Sequence, residues 1–205
     1  MPSPTVVSSA AQAAALVLAS EPLFAGIGPL NPQLLGQCCW YEANEAGDAF
    51  EVNVELGWGD CQAGCIERHR WQYAVGREGT IALIDESGPQ VPDEARPRPG
   101  TGPAHVLLSL RAGPTCPVET EPPDPACAPR PVAGAQVVVR TPTGGEAGRG
   151  KSDAEGMLAL QLPAGAYYLE PQPAEGLLGT APAVAFSATE GSETRLMLLY
   201  DTGIR

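Results

Sequence analysis

The sequence predicts a mainly β fold. An N-terminal α+β unit, one helix on an antiparallel four-stranded meander, precedes a C-terminal β-sandwich. Three observations carry this expectation. Apolar and polar residues alternate over 49–58 and 67–75, short extended segments recur between turn signals in the second half, and 12 of the 22 prolines fall within 89–131, dividing the chain.

The elements follow in order. Ser3 and Pro4 suit an N-cap and first helical position, and the alanine-rich run over 6–18 favours helix. Val7, Ala11, Ala14 and Leu18 share a face, with Ala10, Ala13 and Val17 beside it, so the helix has an apolar side to bury. Pro22 ends it. Extended segments then come at 34–43, 49–58, 67–75 and 80–85, punctuated by glycines. In the second, Phe50, Val52, Val54, Leu56 and Trp58 form a core face opposite a wet one; in the third, the same period puts His69, Trp71, Tyr73 and Val75 on one side. The helix should cover the apolar face of this sheet. These residues, 1–88, make one unit. A proline-stiffened linker over 89–103 leads to a second at 104–205, whose strands are expected at 105–110, 132–140, 146–151, 157–162, 166–170, 181–188 and 193–200.

Composition narrows the functional classes. The 205 residues include 24 acids against 12 bases, a net charge of -12, which argues against broad contact with nucleic-acid phosphates. No apolar run approaches the roughly 18 residues that span a bilayer. Gly 24 and Pro 22 together make 46 of 205, just under the roughly 25–30% at which disorder becomes the default. Lys151 is the only lysine, and Arg68 and Arg70 around His69 form the only dense basic spot. The acidic run Glu42, Glu45, Asp48, Glu51 and Glu55 is expected as a solvated strand face that discourages edge pairing.

Six cysteines, Cys38, Cys39, Cys61, Cys65, Cys116 and Cys127, are even in number and paired along the chain, as in disulfide-bonded extracytoplasmic proteins. Cys116 and Cys127 bracket a proline-rich loop with no side chains for a core, so a disulfide there would order it. Cys61 and Cys65 bracket a short loop and are expected to pair as well. Cys38 and Cys39 are harder to place, because neighbours on a strand point to opposite faces and a bridge would strain the backbone. Cys61, Cys65 and His69 also have metal-compatible chemistry, with Cys38 or Cys39 as a fourth zinc ligand, but Cys-x3-Cys is a poor match to structural zinc spacing. A Cys–His nucleophile would need a free thiolate, and no Gly-x-Ser-x-Gly elbow exists for a serine hydrolase.

The segment 131–139, the Ser152-Asp-Ala-Glu-Gly156 turn and the Leu162-Pro-Ala-Gly-Ala-Tyr-Tyr-Leu169 segment resemble the carboxypeptidase regulatory-like family, a transthyretin-like or prealbumin-like β-sandwich, over residues 104–205. In that resemblance Gly134 lets the first long strand start without a clash, Asp153 and Gly156 make a hairpin turn, and Pro163 and Gly165 make the next turn. It implies a non-catalytic module of secreted or envelope proteins. A related group of surface modules forms a lysine isopeptide bond, which needs a buried lysine; Lys151, beside a turn, is expected to be solvated. Residues 1–88 resemble, in outline alone, small periplasmic inhibitor-like and cystatin-like modules.

The expectation is therefore a non-catalytic, secreted, periplasmic or lipid-anchored binding or scaffold protein, monomeric, with no cofactor, no resident metal and no catalytic residue. Residues 1–19 lack the basic start of a signal peptide and are expected to open a mature region. Trp58, Trp71 and Tyr73 beside the Cys61–Cys65 loop are the expected surface for a protein or peptide partner at the cell envelope. The alternatives are a metal- or thiol-dependent enzyme centred on Cys61, Cys65 and His69, and a protease-inhibitor-like module.

Overall fold

A computed structural model describes residues 6–32, 34, 36–62, 64–98, 100–117 and 124–205. Helix α1 is Ala10–Ser20, and its N-cap is Ser9, whose hydroxyl accepts the Gln12 N–H at 3.2 Å. The expected start, Ser3 and Pro4, lies outside the described residues. Glu21 closes the helix, and Pro22 opens a 3₁₀ turn, Pro22–Phe24.

Five strands follow: β1 (Gly28–Pro29), β2 (Cys39–Ala46), β3 (Ala49–Trp58), β4 (Glu67–Gly76) and β5 (Ile81–Ser87). They lie side by side in chain order, antiparallel except that β1 runs parallel to β2. The sheet thus has one strand more than the alternation announces, because a Gly-Pro strand of two residues carries no period to read. Gly47, at φ +61°, opens the two-residue turn between β2 and β3, in the position that a type II′ hairpin reserves for glycine.

The second half is a β-sandwich of β6 (Ala104–Gly113), β7 (Arg130–Pro131), β8 (Gln136–Arg140), β9 (Glu146–Lys151), β10 (Met157–Leu162), β11 (Gly165–Pro171), β12 (Val184–Ala188) and β13 (Glu193–Asp201). One sheet has the order β10-β6-β13, with β7 also on β6; the other has β12-β11-β8-β9. Between them Leu108, Leu110, Val139, Leu169, Phe186 and Leu198 form a closed core. Two details depart from expectation. The Asp153–Gly156 turn is not a hairpin between paired strands, since it carries the chain from β9 in one sheet to β10 in the other. Asp153 Oδ1 accepts the N–H groups of Glu155 (3.0 Å) and Met157 (2.7 Å), and Gly156, at φ +74°, passes so close to β6 that a Cβ would stand 2.5 Å from Leu110 O. Gly134 sits in open space at φ +70°, so its left-handed backbone, not a clash, is what calls for glycine.

Helix α1 lies between the two halves, against β2 and β3 on one side and β11 and β12 on the other. Ala13, Ala14 and Ala15 are fully buried, and the first core runs continuously from Phe50, Val54 and Trp71 to Ala166, Tyr168 and Ala185 of the sandwich. Alanine suits the place because a helix gripped by two sheets has room for little beyond a methyl group. The edge of β12 is covered as well: the Tyr41 hydroxyl accepts the Ala185 N–H (2.7 Å) and donates to Ala185 O (3.1 Å), and Ile27 O accepts the Ser187 N–H (3.0 Å). Along 89–103, Val91 is buried in the first core, Asp93–Ala95 makes a 3₁₀ turn, and Gly100 meets the backbone at Glu190.

Candidate functional site

Strand β4 presents its residues alternately. Arg68, Arg70 and Gln72 face away from the helix, while His69, Trp71 and Tyr73 face the core side. Trp71 is 8% exposed and Tyr73 7%, and Trp58 is half-buried against the same core. The three aromatics are therefore not projecting surface anchors, as their placement beside a loop had led us to expect; the period that groups Trp71 and Tyr73 also turns them inward. These two form the back of a cleft of about 360 Å³, bounded by Glu21, Phe24, His69 and Glu86, with Arg96 among its lining residues. Phe24 meets Trp71 and Tyr73 edge-on at ring separations of 5.2 and 6.2 Å, and His69 stacks on Trp71 at 4.2 Å.

His69 is held through Nδ1. Nδ1 lies 2.9 Å from Pro89 O, and because a carbonyl can only accept, the proton of this contact sits on Nδ1. Nε2 is buried and 3.0 Å from Glu86 Oε1, without hydrogen-bond geometry. Burial, then the nearby carboxylates of Glu21 and Glu86, pushes the Tyr73 phenol up to about 12.

The cysteines pair as Cys38–Cys39, Cys61–Cys65 and Cys116–Cys127. The adjacent pair, which the alternation of a strand disfavours, is thus joined; Cys39 opens β2 and Cys38 stands just before it. The first two disulfides meet at Gly57 on β3. Its N–H donates to Cys38 O at 2.8 Å, and a Cβ there would lie 2.6 Å from Cys65 Sγ, so a side chain at 57 would push the Cys61–Cys65 loop off the sheet. Among the described residues no three His, Cys, Asp or Glu side chains converge as a metal site. His69 faces the cleft, with Pro89 and Glu86 as its partners, and His105 is exposed at the start of β6 in the other half of the chain.

On the opposite face of the sheet, Glu55 corrects the reading of a solvated acidic run. It is 1% exposed, with Arg68 Nη1 on one oxygen and Arg70 Nε on the other at 2.6 Å. The register explains this, since Glu55 stands opposite Arg70 on the neighbouring strand and two guanidinium groups fold over one carboxylate. Glu45 pairs with Arg77, whose guanidinium also lies over the Phe50 ring at 4.9 Å. Lys151 is exposed on β9.

No family model and no curated protein matches the chain. Among solved structures, a double mutant of the shaft pilin SpaA from Lactobacillus rhamnosus GG is similar at 11% identity and a TM-score of 0.37, over 48% of this chain and 49% of that one. The minor pilin GBS52 of Streptococcus agalactiae is similar at 11% identity and a TM-score of 0.39, over 65% and 59%. The Bacillus anthracis TIE protein is similar at 13% identity and a TM-score of 0.37, over 75% and 25%. The match thus spans about half the length of the shaft pilin, and likeness at these scores is too slight to bear on function.

Proposed function

We propose that the chain is a non-catalytic extracytoplasmic binding or scaffold protein, secreted or held at the cell envelope, that engages a protein or peptide partner through the cleft backed by Trp71 and Tyr73. The observation that carries the reading is the closure of all six cysteines into disulfides. Three disulfides in one chain fit an oxidising compartment, and a bonded cysteine offers neither a thiolate nucleophile nor a zinc ligand. The cleft supports binding because ring contacts of Phe24 with Trp71 and Tyr73, and of His69 with Trp71, hold its back wall in place, which lowers the ordering cost of association. The C-terminal half, 104–205, is taken as a transthyretin-like module of the carboxypeptidase regulatory-like kind, on the Asp153–Gly156 turn and the Tyr167–Tyr168 strand; 1–88 carries most of the cleft, and 89–103 joins the two and completes its wall with Val91 and Arg96.

Thiol titration of the denatured, unreduced protein, together with zinc analysis, tests this reading. Six oxidised cysteines without stoichiometric metal are expected. Four free thiols with one bound zinc would replace it with the metal- or thiol-dependent alternative.

A further inference from the structure

We propose that the cleft beside β4 receives a single cationic side chain, an ammonium or guanidinium group presented by a protein or peptide partner. This deepens the binding-protein reading and rests on it. Four observations converge. First, two carboxylates line the cleft: among the described residues Glu21 makes no ion pair, and the ion-pair contact of Glu86 is with the His69 imidazole. The cleft's own cation, Arg96, is engaged by Asp93 at 3.2 Å. Second, the surroundings of His69 leave a gap in the hydrogen bonding. Nδ1 is engaged by Pro89 O, while the buried Nε2 has no hydrogen-bond partner although Glu86 Oε1 lies 3.0 Å away. The imidazole nitrogen is buried while the Glu86 carboxylate 3.0 Å away is half-exposed, so a cation with several N–H groups can reach the carboxylate from the open side of the cleft and satisfy the corner.

Third, the remaining walls suit an aliphatic stem beneath a charged head. Trp71, Tyr73 and Leu83 give the cleft apolar surface, and Phe24 braces the two rings edge-on. A volume of about 360 Å³ has room for one long side chain with its hydration. Fourth, the chain carries a net charge of -12, so a cationic partner is attracted before contact. An anionic group would face Glu21 and Glu86 directly, and a purely apolar one would leave both carboxylates and His69 Nε2 unsatisfied.

The test is calorimetric titration of the full chain with three blocked tripeptides, Gly-Lys-Gly, Gly-Arg-Gly and Gly-norleucine-Gly, the last having the stem of lysine without its charge. The lysine or arginine peptide should bind at least about tenfold more tightly than the norleucine peptide, with affinity falling as salt rises. Glu86→Gln should weaken that binding about tenfold, while Arg96→Ala should leave it equal or tighter. The Glu86 side chain is 51% exposed, so the variant should fold, and an unchanged urea midpoint confirms it. Equal binding of the norleucine peptide, no binding of either cationic peptide up to ~10 mM, or an unaltered affinity in Glu86→Gln would overturn the proposal. Any of these with six oxidised cysteines would leave the binding-protein reading standing; four free thiols and zinc would remove that reading itself.

Discussion

Replacing Tyr41 by Phe removes one oxygen and tests how the two halves of the chain are joined. The Tyr41 hydroxyl reaches from β2 to β12, where it satisfies both the N–H and the C=O of Ala185, at 2.7 and 3.1 Å. Both residues are buried, so water cannot take over either bond. Each orphaned buried backbone group costs about 1–3 kcal/mol, and some relaxation of the carbonyl is expected, which gives about 2–4 kcal/mol for the pair. The phenyl ring stays, so little packing is lost. Equilibrium urea unfolding, followed by tryptophan fluorescence and by far-ultraviolet dichroism, should show a lower midpoint at unchanged slope. If the halves unfold as one body, both probes shift together. A loss below about 0.5 kcal/mol would mean that the hydroxyl does not hold the β12 edge and that the two halves are coupled by apolar contact alone.

Three further outcomes are expected. Burial holds the phenols of Tyr41 and Tyr73 above their ordinary value, Tyr73 at about 12, so the folded protein keeps protons that the unfolded chain releases; stability should be full below pH ~10 and fall as pH rises through about 12, and a flat profile of thermal midpoints from pH 8 to 12 would contradict this. Removing the Cys116–Cys127 bridge by paired Cys→Ser substitution should cost about 2–3 kcal/mol in denaturant unfolding, from the sequence separation of 11 it spans; no change would show that the loop contributes nothing to the sandwich. Gly156→Ala should cost more than about 1 kcal/mol on the same measurement, since it meets both a left-handed backbone at φ +74° and a contact of 2.5 Å with Leu110 O; a neutral result would place the Gly156 backbone elsewhere.

Of the site, the sequence showed the members but not their surroundings. His69, Trp71 and Tyr73 share a face because strand geometry has a period of two, and that much can be counted along the chain. That Glu21, three residues before the end of the 3₁₀ turn, and Glu86, on the edge strand, join them is invisible to counting, because both arrive through tertiary packing. Glu51 and Glu55 look alike in the sequence, as acids at alternate positions of one strand. Only the register of β4 tells them apart: Ala74 lies opposite Glu51, while Arg70 lies opposite Glu55, and Arg68 closes over the same carboxylate.

What the sequence by itself determined was local: the alanine-rich helix, nearly every strand from β2 to β13, the glycine and proline turns between them, and the disulfide closing the 116–127 loop. These depend on periodicity and on backbone preferences that act within a few residues. What only the tertiary structure decided was partnership across distance. The parallel pairing of β6 with β13, level from His105 with Glu193 to Gly113 with Asp201, joins segments almost ninety residues apart. The Asp153–Gly156 turn leads from one sheet to the other, and α1 is enclosed between both halves and not laid on one. An apolar face records that it must be covered; which surface covers it depends on the whole chain, because burial energy follows the area removed from water and is indifferent to the partner that removes it.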